Sequence, residues 1–242
     1  MSIEQAIEYL QEAEVVLAFI GAGMSKESGI DTFRDEEGNF IDQNMEKMLH
    51  KRMMDRDPQA ATRYYREFRV KALEGKEPNA GHYALAEISQ YRDLTIATQN
   101  IDGLTERAVA ERGYDPVPIA YLHGTLNRMK CHGCHVYSEL ELGDTCECGD
   151  IIRPDIVLYG EPLDDEVFYA AEIAAEAADV CLILGTSGQV FPASSIPQMA
   201  YENGAKVIEV NPGSTALAGY CDVIIRDKTG TILPQFAEAL RP

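Results

Sequence analysis

Positive charge is scarce in this chain: 21 Lys and Arg stand against 40 Asp and Glu, a formal net charge of −19 over 242 residues. So acidic a surface argues against non-specific binding to nucleic acid, whose phosphates need a basic face, and favours basic partners instead. Long apolar runs are also absent, and none approaches the roughly eighteen residues of a membrane span. The first fourteen residues have neither the basic start nor the unbroken apolar stretch of a signal peptide. Their Ile3, Ile7 and Leu10 fall on one face of a helix instead, and a cytoplasmic location is expected. Internal repeats and low-complexity linkers are missing too. What remains is 45% hydrophobic residues in a chain long enough to bury a sizeable core, as one large domain or a domain with an insertion.

Short apolar runs mark the strands. They span 15–20, 94–98, 117–122, 180–184, 206–210 and 223–225, with helical stretches over 79–90 and 165–178 between them. Strands alternating with helices predict a mostly parallel sheet covered on both faces, with ligands at the carboxyl ends of the strands. Polar and glycine-containing motifs stand at those ends. Gly21-Ala22-Gly23 follows the first run, Gln99-Asn100-Ile101-Asp102 the second and His123 the third, while Gly185-Thr186-Ser187 and Asn211 follow later ones. The glycines let backbone N–H groups approach an anion, although a tight turn without a ligand reads the same way. A dehydrogenase-type dinucleotide fingerprint is disfavoured. The third glycine comes only at Gly29, and no acidic residue is well placed about twenty positions beyond.

Two segments break the alternation, 35–76 and 126–154. The first is polar, methionine-rich and helical over 58–73, and the second holds four of the six cysteines with little apolar periodicity. Cys131-His132-Gly133-Cys134 and Cys146-Glu147-Cys148 form two close thiol pairs separated by eleven residues. Without an export signal a disulfide is disfavoured, and a structural zinc ion in a closed four-ligand shell is the better reading. His132 or His135 could replace one thiolate, because the second pair is Cys-x-Cys. Cys181 and Cys221, in or beside apolar runs, read as packed thiols.

Taken in order, the glycine turn, Thr98-Gln99-Asn100-Ile101-Asp102-Gly103-Leu104, Leu122-His123-Gly124-Thr125, the cysteine quartet, Gly185-Thr186-Ser187 and Val207 to Gly213 resemble the sirtuins over nearly the whole chain. Single-domain sirtuins of bacterial and archaeal type are NAD-dependent protein lysine deacylases. The resemblance implies an α/β fold: a Rossmann-like parallel sheet with helices on both faces plus a small helical and zinc-binding insertion domain. The sheet part would take in about 1–34, 77–125 and 155–242, the small part about 35–76 and 126–154. It also implies NAD, consumed as co-substrate, and one structural Zn2+. His123, alone a residue that a structural hydrogen bond would explain, becomes the catalytic base, and Asn100 orients ribose or water. NAD contacts fall on Gly21, Ala22, Gly23, Ser25, Lys26, Phe33, Arg34, Gln99, Asn100, Ile101, Asp102, His123, Gly185, Thr186, Ser187, Asn211 and Thr229. The zinc ligands are Cys131, Cys134, Cys146 and Cys148. Asp31 stands where many relatives carry proline, which leaves the cofactor loop less restrained.

Acyl-lysine proteins or peptides are the partners this resemblance implies, clamped between two extended segments carrying Val157, Tyr159, Gly160 and Glu161 on one side and Val190 on the other. Thr32-Phe33-Arg34 is similar to the branch that removes succinyl and malonyl groups. That branch carries Tyr-x-x-Arg over the acyl pocket, where this chain reads Tyr65-Arg66-Glu67-Phe68. The expected products are free lysine, nicotinamide and O-acyl-ADP-ribose. The rival readings are mono-ADP-ribosyl transfer to protein and a preference for acidic acyl groups; a non-catalytic NAD sensor fits less well, since His123 and Asn100 are both present.

Overall fold

The computed structural model describes residues 2–31 and 43–242, so Phe33 and Arg34 lie outside the described residues. Along the chain the strands are β1 (Val15–Ile20), β2 (Asp93–Thr98), β3 (Ile119–Tyr121), β4 (Gly124–Cys131), β5 (Tyr137–Ser138), β6 (Ile152–Ile156), β7 (Val180–Leu184), β8 (Lys206–Val210) and β9 (Val223–Ile225). The helices that position the site are α1 (Ile3–Glu12), α2 (Gln43–Met48), α3 (Lys51–Arg56), α4 (Pro58–Leu73), α5 (Ala80–Ile88), α6 (Leu104–Glu111), α7 (Asp165–Ala177), α8 (Ser195–Glu202) and α9 (Thr229–Leu240).

Six strands form one parallel sheet in the order β3-β2-β1-β7-β8-β9. Successive residues of a strand face opposite sides, so each strand feeds two cores. Val16, Ala18 and Ile20 pack beneath α1, α5 and α9 with Leu10, Leu85 and Phe236, whereas Leu17 and Phe19 pack beneath α7 and α8 with Ala171, Ala175 and Ile196. Burial on both faces is why β1 and β7 read as unbroken apolar runs, whereas β8 carries Glu209, buried and paired with Arg226. The chain builds outward from β1 through β2 to β3, then returns to lay β7 against the other edge of β1. That reversal opens a crevice at the carboxyl ends of β1 and β7.

A second, three-stranded sheet has the order β5-β4-β6. Its strands pair antiparallel, and a bulge between Thr125 and Met129 shifts the β4 register. Such a bulge destroys the period-two alternation, which is the physical reason the sequence shows no strands over 126–154. α4 starts at Pro58, whose fixed φ suits a first helical position, and Asp57 caps it by accepting from the Ala60 amide at 3.0 Å. Its buried face, Ala61 and Tyr65, joins Leu49, Met54, Leu126, Leu142, Ile156 and Leu158 in a third core. This core draws on both segments that interrupt the alternation. It also recruits residues just beyond Asp155. Among the described residues no helix is long and apolar enough to cross a membrane.

Candidate active site

The glycine turn works differently from a free anion cradle. Gly21 N–H donates to the Leu184 carbonyl at 2.9 Å and Gly23 N–H to the Gly185 carbonyl at 2.7 Å, so both amides are spent between β1 and β7. A Cβ on Gly21 would lie 2.5 Å from the Thr186 Cβ, and one on Gly23 would lie 2.7 Å from the Gly185 oxygen. The glycines thus permit close approach of the two strand ends. The chain then enters a short 3-10 segment over Ala22–Ser28, with Ser25 buried and Lys26 exposed.

Ser25 is the hub of the site. Its Oγ donates to Asp102 Oδ2 at 2.8 Å and accepts from Asn100 Nδ2 at 3.1 Å, with His82 Nε2 at 3.5 Å. His82 Nδ1 accepts from the Asn79 amide, which fixes the proton of the neutral ring on Nε2, facing Ser25. Burial pushes the His82 pKa down to about 4, so the ring is neutral at cellular pH. Asp102 also accepts from the Leu104 amide; burial raises its pKa, and that amide and the Ser25 hydroxyl oppose the rise. The chain leaving β2 brings Asn100 and Asp102 here, while Gln99 Nε2 reaches across to Thr186 Oγ1 at 3.0 Å. Ile101 is held by its carbonyl, which accepts from Leu126 N–H.

His123 sits between the end of β3 and the start of β4, against this cluster. Gly124 there has φ +74°, and a Cβ would lie 2.0 Å from the Asp155 oxygen, so only glycine permits the turn that presents the histidine. His123 Nδ1 lies 3.2 Å from the Gln99 carbonyl. A carbonyl can only accept, so Nδ1 carries the proton and Nε2 keeps a free lone pair. Burial holds the imidazole pKa below its ordinary value, and the Gln99 bond opposes that shift. The ring is a neutral base in place.

Other expected contacts line the strand ends more loosely. Thr186 is buried and Ser187 exposed, Asn211 side chain donates to the Gly213 carbonyl, and Val190 is half-buried. Thr229 is buried at the start of α9, and its hydroxyl has no hydrogen-bond partner among the described residues. A buried orphan hydroxyl at the position predicted to touch the cofactor fits a site built for a polar ligand.

Residues 157–161 form no regular strand: Tyr159 makes an isolated parallel bridge with His50, and the chain turns at Gly160. Val157 N–H donates to the His123 carbonyl, Tyr159 N–H to Leu49, and Glu161 N–H to Leu158. The Glu161 side chain accepts from Leu158 N–H at 2.9 Å and from the fully buried Arg153 at 2.6 Å, so it shapes the turn from within. The Gly160 φ of +86° closes the turn against His50. The backbone N–H groups of Val157, Leu158, Tyr159 and Glu161 are thus spent within the protein. Tyr65 is likewise a core residue: it is fully buried, and its hydroxyl donates to the Met48 carbonyl at 3.3 Å. Phe68 is half-buried and stacked on Tyr64, ring centroids 6.1 Å apart.

The four cysteines do converge. Cys131 at the end of β4 and Cys134 one turn later face Cys146 and Cys148, and all four Sγ atoms lie within 4.8 Å of one another. Cys131 to Cys148 is 3.4 Å and Cys134 to Cys146 is 3.7 Å. Four sulfurs about 2.3 Å from a tetrahedral zinc would stand about 3.8 Å apart, close to the spacing of this quartet, so the residues fit the ion. His132 is excluded as a ligand, because its ring bridges Asp55 Oδ1 at 2.9 Å and Arg153 Nε at 3.2 Å. The Cys-x-Cys pair supplies two of the four clustered sulfurs.

Three polar residues of this architecture, His82, Asn79 and Arg153, have no motif to announce them. His82 and Asn79 act across more than fifty residues of chain, and the one local signal was their capping spacing at the start of α5. Arg153 reads as a surface charge and is fully buried.

A model of the Sir2 family matches residues 21–192. The chain belongs to the Sir2 family. An NAD-dependent protein deacylase of Thermococcus sibiricus is 37% identical over 96% of this chain and 93% of its own, and an NAD-dependent protein deacetylase of Shouchella clausii is 37% identical over 96% and 98%. A Sir2 homologue mutant solved with ADP ribose superposes with a TM-score of 0.89 at 32% identity, covering 100% of this chain and 97% of its own. A Sir2 homologue–NAD complex superposes at 0.86 with 30% identity, over 98% and 93%.

Proposed function

We propose that this chain is an NAD-dependent protein lysine deacylase, transferring the acyl group of a modified lysine to ADP-ribose with release of nicotinamide and O-acyl-ADP-ribose. The observation that carries the reading is His123: a burial-depressed, singly protonated imidazole anchored on Gln99, beside the Ser25, Asn100 and Asp102 cluster at the strand switch point. NAD, when bound, supplies an electrophilic anomeric carbon and the nicotinamide leaving group. Gly21, Ala22, Gly23, Ser25, Lys26, Gln99, Ile101, Asp102, Gly185, Thr186, Ser187, Asn211 and Thr229 would hold it, with Phe33 and Arg34, which lie outside the described residues. His123 Nε2 accepts a proton from a ribose hydroxyl, and a neutral imidazole does so efficiently near pH 7. Asn100, its amide fixed by Ser25, orients ribose or water, and Asp102 with the Ile101 backbone accepts from and donates to the carboxamide. The crevice lies between the sheet unit of about 1–34, 77–125 and 155–242 and the small unit of 35–76 and 126–154.

Supporting the peptide as partner, the net charge of −19 attracts lysine-rich segments, an effect that salt screens beyond roughly 10 Å. Mass spectrometry of the products tests the assignment. A peptide that loses its acyl group while O-acyl-ADP-ribose appears supports deacylation, and a peptide that gains ADP-ribose and keeps its acyl group supports ADP-ribosyl transfer.

Acyl preference follows from α4. A buried carboxylate needs a cationic partner, since desolvation alone is costly. The nearby arginines are engaged elsewhere: Arg66 donates to the Leu142 carbonyl at 3.2 Å and Arg69 to the Leu126 carbonyl at 3.0 Å. The Tyr65 hydroxyl is committed to Met48. Acetyl and longer apolar acyl groups are therefore expected to be removed faster than succinyl, and Phe68→Arg to raise desuccinylation. Comparable kcat/KM for acetyl- and succinyl-lysine versions of one peptide in the unmodified protein would refute this preference.

A further inference from the structure

Asn79 uses both ends of its side-chain amide. Oδ1 accepts from Gly81 N–H at 2.9 Å and closes the N-terminus of α5; Nδ2 donates to the Met24 carbonyl at 2.8 Å and to Ser28 Oγ at 3.0 Å. The partners fix the orientation of the amide without ambiguity, since Gly81 N–H can only donate and the Met24 carbonyl can only accept. One side chain thus spans the gap between α5 and the 3-10 segment over Ala22–Ser28, gripping that segment on either side of Ser25. Its main-chain N–H adds a third tie, donating to His82 Nδ1 at 3.1 Å and so setting the His82 tautomer that faces Ser25. Packing around the joint is tight. A Cβ on Gly81 would lie 3.2 Å from Met24 Cε and 3.3 Å from Gly230 N, so glycine suits the close packing there.

We infer that Asn79 is a positioning residue for cofactor binding: through Nδ2 it holds the Met24–Ser28 stretch in the register that places Ser25 in its bonds with Asn100 and Asp102. This deepens the proposed function and rests on its placement of NAD at the Ser25 turn. Asn79 is not itself a catalytic residue, because its side chain is consumed by the protein. Its two roles are chemically separable. Asp and Ser cap helices about as well as Asn, so Asn79→Asp and Asn79→Ser keep the cap while removing the Nδ2 donor, and Asn79→Ala removes both.

The test measures NAD affinity by calorimetry, KM for NAD and for an acetyl-lysine peptide, kcat, and the urea midpoint, in the unmodified protein and the three variants. The expected result is that Asn79→Asp and Asn79→Ser lower the urea midpoint less than Asn79→Ala, while NAD affinity falls and KM for NAD rises by about tenfold, more than their loss of stability accounts for. KM for the peptide should stay within about twofold, a smaller change than one hydrogen bond supplies. Asn79→Ala should lose stability as well. Unchanged NAD affinity in both capping variants, or affinity lost only in step with stability, would make Asn79 a helix cap and nothing more, and would overturn the inference. Failure of the unmodified protein to bind NAD is a different result, and it would remove the proposed function beneath it.

Discussion

His123→Ala is expected to lower kcat/KM for deacylation by about a hundredfold or more, the usual scale for removing a general base, with little change in fold. The substitution removes one hydrogen bond, to the Gln99 carbonyl, worth about 1 kcal/mol net, and leaves the Ser25 cluster intact. The pH profile of the unmodified protein adds an independent check. Only the neutral ring can take a proton, so activity is present above the His123 pKa and lost as pH falls through it. Burial places that pKa below its ordinary value near 6.5, and the acidic limb of kcat/KM should have its midpoint below about 6.5. Near-normal turnover by the variant, with the acid limb unmoved, would show that the base lies elsewhere.

The second large effect concerns the cysteines. Cys134 is exposed, and truncating an exposed side chain ordinarily changes stability by no more than about 0.5 kcal/mol. A closed metal shell reverses that expectation. Binding free energy of a structural zinc site, about 10–16 kcal/mol in small zinc-binding peptides, is folding free energy. Cys134→Ala should therefore release the ion and unfold the β4-β5-β6 sheet, and with it the turn at Arg153 and Glu161 that Val157 ties to the His123 carbonyl. Elemental analysis should find about one zinc per unmodified chain and none in the variant, with limited proteolysis opening residues 126–154. Purified protein without zinc, or a variant as stable as its parent, would dismiss the site.

How far the sequence anticipates the molecule depends on whether a residue's environment is local. β1, β7, β8 and β9 follow the runs read from the sequence residue for residue, since burial selects apolar residues; the exception within β8, Glu209, is fully buried and paired with Arg226. α4 begins at Pro58 after its Asp57 cap, both local signals. β4 and β6 were illegible for two reasons, a bulge at Thr125 to Met129 and a fully buried arginine at 153 where polarity suggests surface. The four thiols could be paired from spacing, but the exclusion of His132 depends on Asp55, seventy-seven residues away. Gly21 and Gly23 read from the sequence as amides open to an anion, whereas both amides donate to the Leu184 and Gly185 carbonyls at the end of β7, a partner no local spacing reveals. Tyr65 is fully buried with its hydroxyl on Met48, and the half-buried Glu161 pairs with Arg153; those partners sit on other elements that no spacing rule connects to them.

The claim that one crevice joins NAD to an acyl-lysine is tested most directly by counting products. The protein is mixed with NAD and an acetyl-lysine peptide, with the same peptide unmodified, or with the acetyl peptide alone, and nicotinamide and deacylated peptide are measured together. The account predicts one nicotinamide released for each acyl group removed, and neither product when NAD or the acyl group is withheld. Acyl removal without NAD, or nicotinamide released at the same rate from the unmodified peptide, would contradict it.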